Sequence, residues 1–394
     1  MNVVFISPNF PLYYWNFCDR LKKRGVNVLG IGDASYDSMS EVCRHSLTEY
    51  YQVSSLENFD EVYRACGYFT HRYGKLDWIE SENEYWLETE ATLRQEFNVN
   101  SGTKIKDMGP MKYKSKMKDV YAKAGIKACR YHMVSSYEDA KDFIRQVGYP
   151  VVVKPDNGVG AAATYKLKNE DELSYFFATK NDVAYIMEEF VPGHVETFDG
   201  ITDSKKNILV CSSHVMLVSI MDTVNDGTDT CFCSQNVEAM DIYEVGQKAV
   251  QAFDTRSRFF HFEFFRLDED KEGLGKKGDL LGLEVNMRAP GAYMPDMINY
   301  ACDCDVYDIW AEMLVNDCMD QQIKRKYYVG YAARRYDFQY RYSMEEIKSM
   351  YQHHILVDTS IPKALAGAMG DHVFLFRHEN QEVMMEILRK ILEK

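Results

Sequence analysis

Short apolar runs alternate with helical stretches through the first hundred residues of this 394-residue chain. The runs predict strands at residues 3–7, 26–31, 50–53 and 76–80. The stretches between them predict helices at residues 13–23 and 56–73. Neighbouring parallel strands need a crossover connection, which is usually a helix. The alternation therefore predicts a doubly wound parallel sheet in an α/β amino-terminal domain.

Two loops follow predicted strands of this sheet. In doubly wound sheets, ligands lie beyond the carboxyl ends of the strands. The loops at residues 7–9 and 81–83 are therefore candidate substrate contacts, with ordinary turns as the alternative.

A locally basic stretch with six lysines lies at residues 104–118 of this acidic chain. Such a shift in composition is typical of a domain junction. We expect an amino-terminal domain at residues 1–108, a central α+β domain at 109–322 and a small carboxy-terminal α+β segment at 323–394. In the last segment the pattern predicts strands at 327–341 and 372–377, and helices at 343–351 and 380–393.

The charge balance limits the expected partners. Lysine and arginine number 46 and aspartate and glutamate 60, so the net charge is −14. This charge repels phosphate backbones, and nucleic acid is not an expected partner. No apolar run reaches the ~20 residues that span a bilayer, and no basic leader segment precedes the first strand. We expect no membrane partner and a cytoplasmic location.

A β-branched strand at residues 150–153 delivers Lys154 into a loop of small residues that includes Gly158 and Gly160. Small residues let backbone N–H groups approach an anion, and the lysine supplies the compensating charge. A Walker A loop is excluded, because it requires Gly-Lys-Ser/Thr before a helix. A flexible hairpin tip with a solvated lysine is the alternative.

Two further runs, at residues 259–266 and 280–288, alternate polar and apolar side chains and are joined by a glycine-containing loop, which predicts a hairpin. A loop that folds symmetrically about residues 273 and 274 places opposite each other those residues whose numbers sum to 547. Glu263 and Glu284 meet this condition, so we expect them to face each other. Facing carboxylates need a shared proton or a cation between them. With the Asn286 amide oxygen they form a set that suits Mg²⁺. A solvated hairpin in another register is the alternative.

Five motifs occur in an order that resembles the ATP-grasp superfamily, most closely its carboxylate–amine ligase branch, which includes L-amino-acid ligases. They are the Lys114 helix, Val-Val-Val-Lys154-Pro with its small-residue loop, Met-Glu-Glu-Phe-Val-Pro-Gly at 187–193, His261-x-Glu263, and Glu284-x-Asn286-x-Arg288-x-x-Gly. The resemblance covers residues 76–310. It implies a parallel-sheet pre-ATP-grasp domain followed by an ATP-grasp α+β domain.

The resemblance also implies a nucleotide site for ATP. Its residues are Lys114 and Lys154 at the phosphates, Gly158 and Gly160 in the loop over them, Glu188, Glu189, Phe190 and Val191 at the adenine hinge, and Glu196 at the ribose. The segment between the hinge glycine and Glu196 is one residue longer in this chain than in the family. Whether Glu196 contacts the ribose is therefore left open.

By the same resemblance, Glu263, Glu284 and Asn286 hold Mg²⁺, with Mn²⁺ as the alternative metal, and Arg288 is the catalytic residue that steadies an acyl phosphate. The interval between the two glutamates is 21 residues and implies an extended hairpin tip, expected to have no part in the chemistry.

The implied activity is an ATP-dependent ligase that forms a C–N bond and releases ADP and phosphate. Its expected partners are a small-molecule carboxylate, an amine or amino acid, and a second copy of the chain in a homodimer. The alternatives are a nucleotide-binding protein without ligase turnover, acting as a sensor or assembly partner, and a carboxylase-like or thioester-forming enzyme.

Overall fold

The computed structural model describes residues 1–158 and 163–394, without the side chains at 220, 222, 225 and 239. The amino-terminal part is a four-stranded sheet in the order β3-β2-β1-β4, and each neighbouring pair is parallel. This confirms the predicted parallel sheet. Its elements are β1 Asn2–Ile6, α1 Trp15–Lys23, β2 Asn27–Gly32, α2 Glu41–Ser46, β3 Glu49–Gln52, α3 Phe59–Tyr73, β4 Trp78–Glu80 and α4 Leu87–Glu96.

The next part is an antiparallel sheet in the order β5-β8-β6-β7. One face packs on two helices through Phe143, Phe176 and Met187. The other face carries Val152, opposite Glu188 in the register, and therefore Lys154 two residues further on. The elements are α5 Gly109–Lys112, α6 Lys114–Lys123, β5 Tyr131–Met133, α7 Tyr137–Val147, β6 Val151–Pro155, β7 Tyr165–Leu167, α8 Glu170–Thr179 and β8 Tyr185–Glu189.

An eight-stranded sheet in the order β13-β12-β9-β10-β11-β14-β16-β15 forms the rest. The strands and helices up to residue 316 are β9 Gly193–Thr202, β10 Ile208–Met216, α9 Ile220–Asp226, β11 Thr230–Gln235, α10 Asp241–Ala252, β12 Arg258–Leu267, β13 Leu280–Asn286, α11 Met294–Cys302 and α12 Val306–Asn316. Those after it are β14 Tyr328–Arg334, α13 Met344–Tyr351, β15 Ile355–Ser360, α14 Lys363–Met369, β16 His372–His378 and α15 Gln381–Leu392.

The carboxy-terminal segment shares this sheet, because β14 pairs with β11. The strand predicted at 327–341 is shorter in the structure and ends at Arg334. The Arg335 N–H donates to the Tyr340 hydroxyl at 2.8 Å, so the chain turns instead of extending the ladder. The strand at 372–377 and the helices at 343–351 and 380–393 are found within one residue of each predicted end.

The amino-terminal sheet is fastened to the eight-stranded sheet by helix-to-helix contacts. Phe17 of α1 packs on Trp310 of α12, with ring centroids 5.1 Å apart. Beside this apolar contact, Arg24 donates two 2.8 Å hydrogen bonds to Asp308. The segment that follows β4 lies close to the end of β13. Within the described ranges, no helix is long and apolar enough to cross a membrane.

Candidate active site

The predicted carboxylate pair is present in the β12–β13 hairpin. Glu263 lies opposite Glu284, and His261 lies opposite Asn286. The symmetric register ends there, because Phe264 pairs with Gly282 and not with Leu283, as the symmetric register would require. A Cβ at Gly282 would lie 2.7 Å from the Tyr121 ring of α6, so the bulge places a glycine where that helix packs.

Lys114 lies between the hairpin and the small-residue loop. Its Nζ is 3.1 Å from Glu284 Oε1 and donates to the Gly158 carbonyl at 2.8 Å. The helix α6 begins here because Asp156, beside the loop, accepts hydrogen bonds at 2.8 Å from the Ser115 N–H and hydroxyl. The cap therefore brings Lys114 to the loop. Gly160 lies outside the described residues.

The two facing carboxylates differ in their surroundings. Burial raises the pKa of Glu284, and the charge of Lys114 opposes that shift. Burial would also raise the pKa of Glu263, but the His261 hydrogen bond and charge lower it below the usual range. Glu263 Oε2 makes no hydrogen bond to a residue in the described part of the chain, which leaves it free to accept a cation.

These residues suit a magnesium ion by their donor chemistry. Two carboxylates and the amide oxygen of Asn286 share one face of a hairpin, because residues paired across a ladder point to the same side. Oxygen ligands of this kind are those that Mg²⁺ prefers. The assignment of Glu263, Glu284 and Asn286 stays a prediction.

Glu188 holds two lysines. Its carboxylate oxygens lie 2.6 Å from Lys118 Nζ and 2.8 Å from Lys154 Nζ. Burial would raise the pKa of Glu188, but these two ammonium groups hold it well below its usual range. Lys118 is absent from the sequence-based site. Its spacing of four residues from Lys114 on one helix was a signal that both face the same way.

The predicted hinge is bound by side chains from two other segments. Arg130 donates to Glu189 Oε2 at 2.6 Å through its guanidinium and to Oε1 at 2.8 Å through its backbone N–H. Lys271 of the extended hairpin tip donates to the Phe190 carbonyl. The tip therefore contacts the hinge, and Val191 packs in the apolar cluster beneath it.

Both oxygens of Glu196 accept hydrogen bonds from Arg266, at 2.7 and 2.8 Å. Each carboxylate oxygen has two lone pairs, so ribose hydroxyls could still donate to Glu196. Its ribose contact stays a prediction.

Arg288 faces the amino-terminal domain. Its guanidinium donates to Glu84 Oε2 at 2.7 Å, and the following Ala289 N–H donates to Glu82 Oε2 at 2.6 Å. The candidate loop at residues 81–83 therefore does reach the hairpin. Glu84 was missed, although it follows that loop directly.

Four of the non-glycine residues in the left-handed region follow strands of the amino-terminal sheet or lie shortly after Arg288. Ser7 and Glu82, at the ends of β1 and β4, have φ of 58° and 54°, and Ala292 and Tyr293, after Arg288, have φ of 53° and 62°. Such conformations are uncommon and are enriched at functional sites.

Residues 113–252 match the family model of the carbamoyl-phosphate synthase L chain ATP binding domain. The fold is similar to that of the L-amino acid ligase from Bacillus licheniformis, with a TM-score of 0.75 at 15% identity over 99% of this chain and 96% of that one.

Two curated relatives match over part of their length. The L-arginine-specific L-amino acid ligase of Bacillus subtilis is 27% identical over 58% of this chain and 55% of that protein. The carbamoyl phosphate synthase large chain of Pyrococcus furiosus is 23% identical over 53% of this chain and 20% of that protein. The chain thus spans about a fifth to about half of these relatives. The five motifs, the family-model match at residues 113–252 and the full-length structural likeness agree that this chain is similar to the ATP-grasp superfamily.

Proposed function

We propose that this protein is an ATP-dependent ligase that joins a carboxylate to an amine or amino acid through an acyl phosphate, with release of ADP and phosphate. The observation that carries the proposal is the facing pair Glu263 and Glu284, which lies beside Lys114, with Arg288 two residues beyond Asn286 on the same strand and paired with Glu84. This arrangement combines an oxygen-rich cation site with fixed positive charges, as phosphoryl transfer requires.

The reaction follows from the weakness of a carboxylate as an electrophile. Its oxygen attacks the γ-phosphorus of ATP, the bond to the β–γ bridging oxygen breaks, and ADP leaves. The amine then attacks the acyl carbon, and phosphate leaves with the electron pair of the C–O bond and takes up the proton that the amine nitrogen loses. When bound, Mg²⁺ would neutralise charge on the phosphoryl oxygens. No nucleophilic side chain of the protein is needed.

Lys114 and Lys154 would bind the nucleotide phosphates. Each ammonium is already held by a buried carboxylate, Glu284 or Glu188, so its position is set before the nucleotide arrives. Such preorganised charges cost little reorganisation during the reaction. The loop at Gly158 would cover the phosphates, and the hinge from Glu188 to Val191 would hold the adenine.

Arg288 would stabilise the oxyanion that forms at the acyl carbon. Its guanidinium stays charged and offers several donors, and the Glu84 carboxylate engages only one of its terminal nitrogens. Its other terminal nitrogen donates to the neighbouring Ala289 carbonyl at 2.9 Å. This pair of contacts orients the planar group.

The test is a screen of phosphate release with Mg²⁺, ATP and panels of carboxylic acids and amines. With hydroxylamine as the nucleophile, the correct acid should yield a hydroxamate. ADP that accumulates with that acid and without hydroxamate would refute the acyl-phosphate route and favour a nucleotide sensor. The homodimer, the absence of nucleic-acid partners and the cytoplasmic location stay predictions.

A further inference from the structure

A buried chain of polar side chains runs from Glu263 into the centre of the eight-stranded sheet. His261 Nε2 lies 3.1 Å from Glu263 Oε1, and His261 Nδ1 lies 2.5 Å from Asp199 Oδ1. On the far side, Asp199 Oδ2 lies 2.8 Å from His214 Nδ1 and accepts a hydrogen bond from the Thr197 hydroxyl. The chain therefore links Glu263 to groups on β9 and β10.

The pairing register of three neighbouring strands places these polar side chains next to one another. Asp199 of β9 lies opposite His261 of β12, which lies opposite Asn286 of β13. The next row on the same face holds Glu263 opposite Glu284. Asp199 thus stands behind the proposed cation site, one strand away from its ligands.

Burial makes these contacts specific. Asp199 is 0% exposed and His261 is 5% exposed, so water cannot replace a lost partner easily. A buried carboxylate must be hydrogen-bonded or paired, and Asp199 meets this need through the two imidazoles and the Thr197 hydroxyl. Both nitrogens of the His261 ring are thereby engaged by carboxylates, which leaves the ring one orientation.

This orientation matters for Glu263. With Oε1 held by His261, only Oε2 lacks a hydrogen bond to the described residues. The carboxylate is therefore presented in one rotation, with one oxygen available on the hairpin face.

We infer that Asp199 and His261 are positioning residues for the cation-binding carboxylate of Glu263: Asp199 fixes the His261 ring, and the ring fixes the carboxylate. The inference rests on the proposed function, because it takes Glu263 as a Mg²⁺ ligand. Loss of a hydrogen-bonded partner behind a metal ligand typically costs about 10–100-fold in metal affinity. We expect this loss from Asp199→Asn, although Asp199 does not touch Glu263.

The experiment measures Mn²⁺ binding in the presence of ADP by electron paramagnetic resonance, which reports the bound metal without catalysis. The variants are Asp199→Asn and, since a buried change can impair folding, His261→Gln. The matched control is Glu90→Gln, which alters an equally buried carboxylate that pairs with Arg94 in the amino-terminal domain. Circular dichroism and melting temperature report the folding of each variant.

The expected result is a Kd for Mn²⁺ that rises about 10–100-fold in Asp199→Asn or His261→Gln and stays at the wild-type value in Glu90→Gln. Excess Mg²⁺ should also restore ligase turnover in Asp199→Asn. A wild-type Kd in folded Asp199→Asn and His261→Gln, with only the melting temperature lowered, would show a purely structural role and overturn the inference.

A further variant separates this failure from failure of the proposed function. If Glu284→Gln loses Mn²⁺ binding while Asp199→Asn and His261→Gln keep it, only the inference fails. If Glu284→Gln keeps wild-type binding, the cation site itself is misassigned and both proposals fail.

Discussion

The most detailed prediction concerns the titration of Glu82 and its effect on the stability of the fold. Burial, followed by the charge of Glu80, raises the pKa of Glu82 from 4.5 to about 8. Its side chain is enclosed where the amino-terminal sheet meets the hairpin, and Oε2 accepts from the Ala289 N–H. We expect Glu82→Gln to keep this contact, because the amide oxygen can accept the same bond, and to remove the titration.

The sign follows from linkage. A group whose pKa is higher in the folded state than in the unfolded state stabilises the fold. This contribution to the free energy of unfolding is complete below the unfolded pKa and is lost as the pH rises through the folded pKa. The window for Glu82 therefore runs from 4.5 to about 8. At 1.36 kcal/mol per pKa unit, the wild type should lose about 4 kcal/mol between pH 5 and pH 8.5 through this group.

The assay is differential scanning calorimetry of both proteins from pH 5 to pH 8.5. The melting temperature of Glu82→Gln should rise relative to that of the wild type as the pH increases, by about 5 °C across the range. Glu90, whose pKa burial raises to about 7, remains in both proteins, and its charge is one of those that raise the pKa of Glu82. A difference between the two melting temperatures that does not change with pH would refute the reasoning.

Four substitutions, one of them with a control variant, test the metal, nucleotide and catalytic assignments. Glu284→Gln should fold but lose Mg²⁺-dependent phosphate release, since it removes a ligand charge; wild-type release would contradict the assignment. Lys154→Ala should lose most of the thermal shift given by Mg-ATP, which corresponds to about 2.7 kcal/mol at a hundred times Kd; an unchanged shift would place the nucleotide elsewhere. Lys271→Met should raise the Kd for ATP by fluorescence titration, because it frees the hinge carbonyl of Phe190, whereas Lys277→Met on the same tip should not; equal values for both would leave the tip without a role. Arg288→Ala should keep the Mg-ATP shift and lose ~10²–10³ in ligation rate; loss of the shift instead would make Arg288 a nucleotide ligand.

The carboxylate pair could be predicted because it depends on local rules. Strand side chains alternate with a period of two, and a hairpin loop sets which residues face each other. The register held from His261 to Glu263 and then shifted by one residue. The shift places Gly282 against the Tyr121 ring of α6, which lies far away in sequence, so alternation alone could not show this contact.

The same local rules could not predict contacts between segments that are distant in sequence. Asp199 and His261 meet because β9 pairs with β12, and strand order in a large sheet has no local signal. Glu84 reaches Arg288 only through docking of the amino-terminal domain. The contact of Lys271 with the hinge was not predicted, since it forms where the tip folds back on a distant segment; that the tip has no part in the chemistry stays a prediction. The ATP-grasp resemblance is confirmed, whereas the residue roles that it implied stay predictions.

Transfer of oxygen from the acid to phosphate tests acyl-phosphate formation most directly. The carboxylic acid that the screen identifies is labelled with ¹⁸O in its carboxylate, incubated with Mg-ATP and the amine, and the released phosphate is examined by mass spectrometry. The account predicts one ¹⁸O atom in each phosphate released with product, because a carboxylate oxygen becomes the bridging oxygen of the acyl phosphate. Product formation with unlabelled phosphate would contradict it.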